Sequence, residues 1–165
     1  MDFKDECFDL IICNHVLEHI EDDKSALNEI YRVLKYNGIS FLQVPINLKR
    51  EKTFEDPSIK SKIEREEFYG QYDHVREYGL DFKDRVEQAG FKVEMLNYST
   101  KISKDLIIKY GLLKNDLIPM GKKLPSNYIP AIRLNGCNLI IYCCQYQYIY
   151  ICNIVYYFSG FYWVH

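Results

Sequence analysis

The chain has 165 residues and a formal net charge of -2, long enough for one domain with its own core and too nearly neutral to offer a basic face to a phosphate backbone. Basic and aromatic residues are not interleaved as single-stranded nucleic acid requires, so there is no direct nucleic-acid signal. No CxxC or repeated Cys/His spacing points to zinc, and no metal is expected.

The composition breaks sharply. Every Lys, Arg, Asp and Glu lies at or before Arg133, and Cys137, Cys143, Cys144 and Cys152 all fall near or beyond that break. The opening Met-Asp-Phe-Lys-Asp-Glu lacks the basic and apolar regions of a signal peptide, which gives a cytoplasmic expectation for the charged part.

In chain order, Leu10-Ile11-Ile12-Cys13 is an apolar run too short for a helix and suited to a strand buried on both faces. It runs into a polar cluster of Asn14, His15, Glu18 and His19, and ligands of open α/β sheets meet the carboxyl ends of such strands. Asp22, Asp23 and Ser25 supply N-cap chemistry for an amphipathic helix over 23–36, with Leu27, Ile30, Tyr31 and Leu34 at helical spacing and Asn37-Gly38 closing it. Ile39 to Val44 is a second strand stopped by Pro45, so the pair is parallel.

Residues 45–72 are charged and aperiodic, with Pro57 opposing any helix, and read as a lid, a binding insertion or a solvated loop. Asp81 then caps a helix bearing Phe82, Val86 and Ala89, and Gly90 ends it. Phe91 to Tyr98 reads as a third strand, 104–113 as a short helix or turn, and Leu117 to Met120 as a short strand. The charged domain thus spans 1–123 and a Tyr-, Ile- and Cys-rich tail spans 124–165. Residues 139–163 are long enough for a membrane span, the alternative localisation, but Gln145, Gln147 and Asn153 would lie near its middle. The expectation is therefore a tail not selected together with the domain.

Three segments carry a resemblance: Phe8-Asp9-Leu10-Ile11-Ile12 running into Val16-Leu17-Glu18-His19-Ile20; the helix ending in Asn37-Gly38 before Ile39 to Pro45; and Asp73-His74-Val75-Arg76-Glu77-Tyr78-Gly79 leading to Ala89-Gly90-Phe91. In this order they resemble the C-terminal half of a class I S-adenosylmethionine-dependent methyltransferase of the type 11 group. The resemblance implies an α/β fold, a partial Rossmann-like sheet made of strands four to seven of seven with the last antiparallel. It implies S-adenosyl-L-methionine as cofactor and a small-molecule or unknown methyl acceptor. It also implies that the Gly-rich cofactor loop belongs upstream of Met1, which leaves one edge of the first strand open, impairs activity, and makes another chain a source of the missing half.

On the matching positions, the resemblance places Asn14 and His15 against the cofactor and gives His15 and His74 the catalytic candidacies. A histidine titrates near neutral pH and suits a general base. His74, Arg76 and Tyr78 alternate, so an extended segment puts them on one face, suited to gripping a polar acceptor or tying the lid to the sheet. Pro45 and Asn47 are further acceptor candidates, while Glu18 and His19 are expected to orient the loop and cap the coming helix. Two rivals stand beside this reading. One is a non-catalytic methyltransferase remnant, held at a membrane by its tail or acting as an interaction module. The other is a zinc hydrolase using the H-x-x-E-H pattern His15, Glu18, His19, disfavoured because Asp22 and Asp23 start the helix after the motif.

Overall fold

The computed structural model describes residues 1–113 and 116–125, with the backbone of two further strands, Leu139–Cys143 and Ile149–Cys152. Strand β1, Phe8–Asn14, buries Phe8, Ile11 and Cys13. Leu10 and Ile12 stay partly exposed, so the strand is not buried equally on both faces as its apolar run suggests.

After a single 3-10 turn, Leu17–His19, helix α1 runs over Asp23–Val33. The Asp22 carboxylate caps it by accepting from the Ser25 N–H at 2.9 Å, leaving Glu18 and His19 out of the cap. Its Leu27, Ile30 and Val33 are buried with Ile11, Leu34 and Leu42 in the main core, each such side chain stabilising the fold by about 1.5–3 kcal/mol.

The helix ends three residues before the expected 36 because Leu34 is already extended, opening β2, Leu34–Gln43. Asn37 does take the left-handed conformation, φ 65°, but inside β2. There the parallel register with β1 slips from Phe8↔Leu34 to Leu10↔Ile39. The Asn37 N–H donates to the Lys123 carbonyl at 2.7 Å, so this irregularity is held by the segment beyond β4 rather than by the helix end.

Helix α2, Lys62–Tyr69, lies within the stretch expected to be a loop. It starts with a capping box, Ser61 and Glu64 each satisfying the other's backbone N–H, and ends at the left-handed Gly70. The rest of the stretch is pinned to residues 77–81: Phe54 and Glu77 exchange both backbone hydrogen bonds at 2.9 Å, and the Leu80 N–H donates to the Arg50 carbonyl. Helix α3, Phe82–Gln88, has no side-chain cap. Asp81, expected to cap it, instead accepts from the N–H and hydroxyl of Thr53, both at 2.7 Å. Gly90 follows with φ 105°, as the helix end requires.

Strand β3, Lys92–Leu96, helix α4, Lys104–Lys109, and strand β4, Ile118–Lys122, complete the charged part. Strands β5, Leu139–Cys143, and β6, Ile149–Cys152, add to the same sheet, whose order is β3-β4-β2-β1-β5-β6. The four strands of the charged part form the expected α/β sheet, parallel between β1 and β2 and antiparallel at β4. The second edge of β1, expected to be open, pairs in parallel with β5 from Leu10↔Leu139 to Asn14↔Cys143. Among the described residues no helix is long and apolar enough to cross a membrane. The remainder of the considered span, 139–163, lies outside the described residues.

Candidate functional site

The carboxyl ends of β1 and β2 lie side by side, since Asn14 is paired with Gln43 and the His15 N–H donates to the Gln43 carbonyl at 2.9 Å. Here β1 stops abruptly. His15 adopts φ 52°, a conformation uncommon outside glycine, and turns the chain out of the strand. Its side chain is half exposed, while Asn14 is partly buried. The imidazole Nδ1 lies 3.1 Å from Glu18 Oε1. That hydrogen bond raises the His15 pKa above its ordinary value against partial desolvation, and the charges of Glu18 and Asp116 add to the rise.

Asp116 was not legible as part of this site. Its carboxylate accepts from Gln43 Nε2 at 3.1 Å, and only the fold brings position 116 to the ends of β1 and β2.

Pro45 is exposed just past β2. Asn47 is partly buried and occupied: its N–H donates to the Tyr78 carbonyl, its Nδ2 to Glu77 Oε1 at 2.9 Å, and its Oδ1 accepts from the Lys49 N–H. The alternating trio 74, 76 and 78 is brought together, and its three side chains face inward, all buried. His74 packs edge to face on His19, ring centroids 4.8 Å apart. Arg76 spends its guanidinium on the turn after β1, donating to the carbonyls of Leu17, Ile20 and Glu21 and to Glu55. Tyr78 donates to Asp23 Oδ2 at 2.9 Å, with the Leu17 carbonyl 3.2 Å from its hydroxyl. Burial, with the Asp23 carboxylate beside it, pushes the phenol well above its ordinary pKa, so it serves as a neutral donor.

An ion network that runs from the buried Asp23 to the exposed Glu55 backs this arrangement. Asp23 and Glu55 each meet Arg76 and Arg85, with Arg85 at 3.0 Å from Asp23 and 2.7 Å from Glu55. Partial desolvation opposes ionisation of Glu55, but hydrogen bonds from Arg85 and Arg76 hold its carboxyl below the ordinary range. The partners lie 21 to 62 positions apart in sequence, which is why a linear reading cannot pair them. Together these contacts fix the 17–21 turn against residues 73–78, a tie strengthened by the Val75 N–H donating to the Glu18 carbonyl.

Parallel strands ending in a polar turn, flanked by an antiparallel β4 between β2 and β3, form the open Rossmann-like α/β sheet that the sequence leads one to expect. Residues 1–42 match a family model described as a methyltransferase domain. Among curated proteins the chain is similar to the uncharacterized protein MJ0638 of Methanocaldococcus jannaschii, 45% identical over 139 residues. That alignment takes in 84% of this chain and 55% of the relative, so the chain spans about half the length of the relative it matches. Among solved structures it is similar to a chain of the Haloferax volcanii complex that contains the Trm112 methyltransferase activator. The TM-score is 0.51 at 14% identity, over 76% of this chain and 58% of that one. YcgJ of Bacillus subtilis is similar over 76% of this chain and 68% of its own, with TM-score 0.47 and 17% identity.

Proposed function

We propose that this chain supplies the methyl-transfer end of an S-adenosylmethionine-dependent methyltransferase site. The observation that carries the reading is the convergence of Asn14 and His15 with Pro45 at the carboxyl ends of two adjacent parallel strands, where the sheet of an α/β protein presents ligands. The family fold uses S-adenosylmethionine, which brings an electrophilic methyl group on a sulfonium. The residues here fit its methyl end: a half-buried amide and an exposed imidazole stand at the strand end, with the carboxylates of Glu18 and Asp116 nearby. Among the described residues no Gly-rich loop is present to hold the rest of the molecule, and the matched part is only 55% of a longer relative, which supports a segment outside this chain for that task.

Methyl transfer asks mainly for alignment of acceptor, methyl and leaving group. Asn14 and the backbone of residues 14–15 position the donor. His15, its Nδ1 held by Glu18, presents Nε2 to take the acceptor's proton. The acceptor approaches past Pro45, with Asn47 and His74 bordering its path. Arg76 and Tyr78 act as positioning residues for the turn. The compartment is the cytoplasm, and the second half of the cofactor pocket comes from another chain or segment.

The test is calorimetric titration of the folded full chain with S-adenosylmethionine and S-adenosylhomocysteine, with His15→Ala and Asn14→Ala beside it. Binding in the micromolar range that either substitution weakens supports the proposal. A folded chain that gives no heat, alone or mixed with the part of the relative that it does not match, overturns it in favour of a non-catalytic remnant.

A further inference from the structure

Glu18 has a side chain only 1% exposed, and its carboxylate is satisfied on one side alone. Oε1 meets His15, while Oε2 is buried without any hydrogen-bond partner. An unpaired buried carboxylate oxygen is costly, and proteins rarely keep one that has nothing to bind.

Two imidazoles stand close to that carboxylate and to each other. One potential ligand atom from each of Glu18, His19 and His74 lies within 4.8 Å of the other two. Both rings are anchored through Nδ1: His19 meets the Asp73 carbonyl at 3.3 Å, and His74 meets the Tyr69 carbonyl at 3.2 Å. A backbone carbonyl on Nδ1 fixes that nitrogen as the protonated one and leaves Nε2 as the electron-pair donor, which is the outer-shell arrangement of metal-bound histidines. The Asp73 carboxylate, 3.3 Å from the same His19 nitrogen, reinforces that anchoring.

We infer that Glu18, His19 and His74 form a binding site for one divalent first-row transition ion, with zinc or cobalt as the ions of choice. Two imidazole nitrogens and a carboxylate oxygen make a three-protein-ligand set that leaves further positions for water or another oxygen ligand. Around a tetrahedral ion with metal-to-ligand distances of about 2.1 Å the ligand atoms stand roughly 3.4 Å apart, so a pair at the 4.8 Å limit must close by about 1.4 Å, shared between two side chains. The two ligand segments are already in place, because Val75 and Arg76 bind the backbone of Glu18 and of the turn around it. The inference reverses the expectation of no metal. It differs from the H-x-x-E-H zinc-hydrolase pattern, since His15 serves Glu18 rather than the ion and the third ligand comes from His74. The site is independent of whether methyl transfer occurs beside it.

The experiment is titration of the chelator-treated full chain with Zn(II) by calorimetry and with Co(II) by visible absorption, for the wild type, Glu18→Gln, His74→Gln and His19→Gln. The expected result is one ion per chain, a melting temperature raised by the metal, and binding weakened by at least about 100-fold in each variant that retains its circular dichroism. Glu18→Gln keeps the volume of the side chain and its contact distance to His15, so it serves as the folded control if a histidine variant does not fold. No saturable binding by the wild type overturns the inference. So does binding that Glu18→Gln leaves unchanged, or a cobalt spectrum with a thiolate charge-transfer band, which places the ion on cysteines. None of these readouts needs methyl transfer, so this site and the proposed activity succeed or fail separately.

Discussion

Replacing Arg76 by lysine separates a positioning role from contact with an acceptor. The guanidinium is 4% exposed and makes hydrogen bonds to three backbone carbonyls and to Glu55, through Nε, Nη1 and Nη2 together. A lysine ammonium is one point with three donors, and it cannot span the carbonyls of Leu17, Ile20 and Glu21 while still reaching Glu55. At least one buried carbonyl loses its partner, at about 1–3 kcal/mol. The charge itself is kept, so the larger penalty for an unpaired buried ion does not apply in full. The expected loss is therefore about 2–3 kcal/mol, or roughly 4–12 °C in melting temperature for a domain of this size. Urea and thermal unfolding followed by circular dichroism, with the wild type in parallel, read it directly. A loss below about 0.5 kcal/mol, the level of an ordinary surface change, would refute the reasoning and return Arg76 to the acceptor.

Tyr78→Phe removes the hydroxyl that donates to Asp23, a hydrogen bond to a charged group, and should cost about 1.5–3 kcal/mol by the same unfolding measurement. Ser61→Ala breaks the capping box of α2 and should cost about 1 kcal/mol, with the loss confined to helix-end fraying visible in the NMR shifts of residues 62–65. Gly79→Ala places a methyl group 2.7 Å from the Lys52 backbone. Backbone cannot yield as a side-chain tip does, so the variant should lose about 1–3 kcal/mol, measured by chemical denaturation. The Glu29 carboxyl, held at about 2 by hydrogen bonds from Arg32, should titrate there by NMR and return toward the ordinary glutamate range in Arg32→Gln. Its folded pKa is depressed, so whatever stability the pair adds is present above the unfolded value and is lost as pH falls toward 2.

Much of the sheet is legible in the sequence because it rests on local signals. The short apolar run ending at Cys13, the helical spacing of Leu27 and Ile30, and Gly90 after an apolar helix face each have a local cause. The same holds for the polar turn at Asn14 and His15. What escaps is tertiary. The left-handed Asn37 looks like a helix cap until Lys123 arrives to bind it, and Asp81 looks like a cap until Thr53 takes its carboxylate. Ser61 and Glu64 carry a readable capping box, obscured by the charge of the stretch around them. Arg76 and Tyr78 do share a face as alternation requires, but whether that face meets solvent or the 17–21 turn depends on contacts more than fifty positions away. Asp116 and the pairing of Glu18 with His74 are of the same kind, and no spacing rule reaches them.

The parallel pairing of β1 with β5 has a consequence for biosynthesis. Leu10 leaves the ribosome well over a hundred residues before its partner Leu139 is made. At ordinary elongation rates of about 5–20 residues per second, the outer edge of β1 waits on the order of ten seconds for that strand. During the wait its backbone donors and acceptors are a template for any extended segment of a neighbouring nascent chain. The nascent protein is thus most exposed to mispairing at the strand that ends in its candidate site, and chaperone capture while it is being made should fall on that strand.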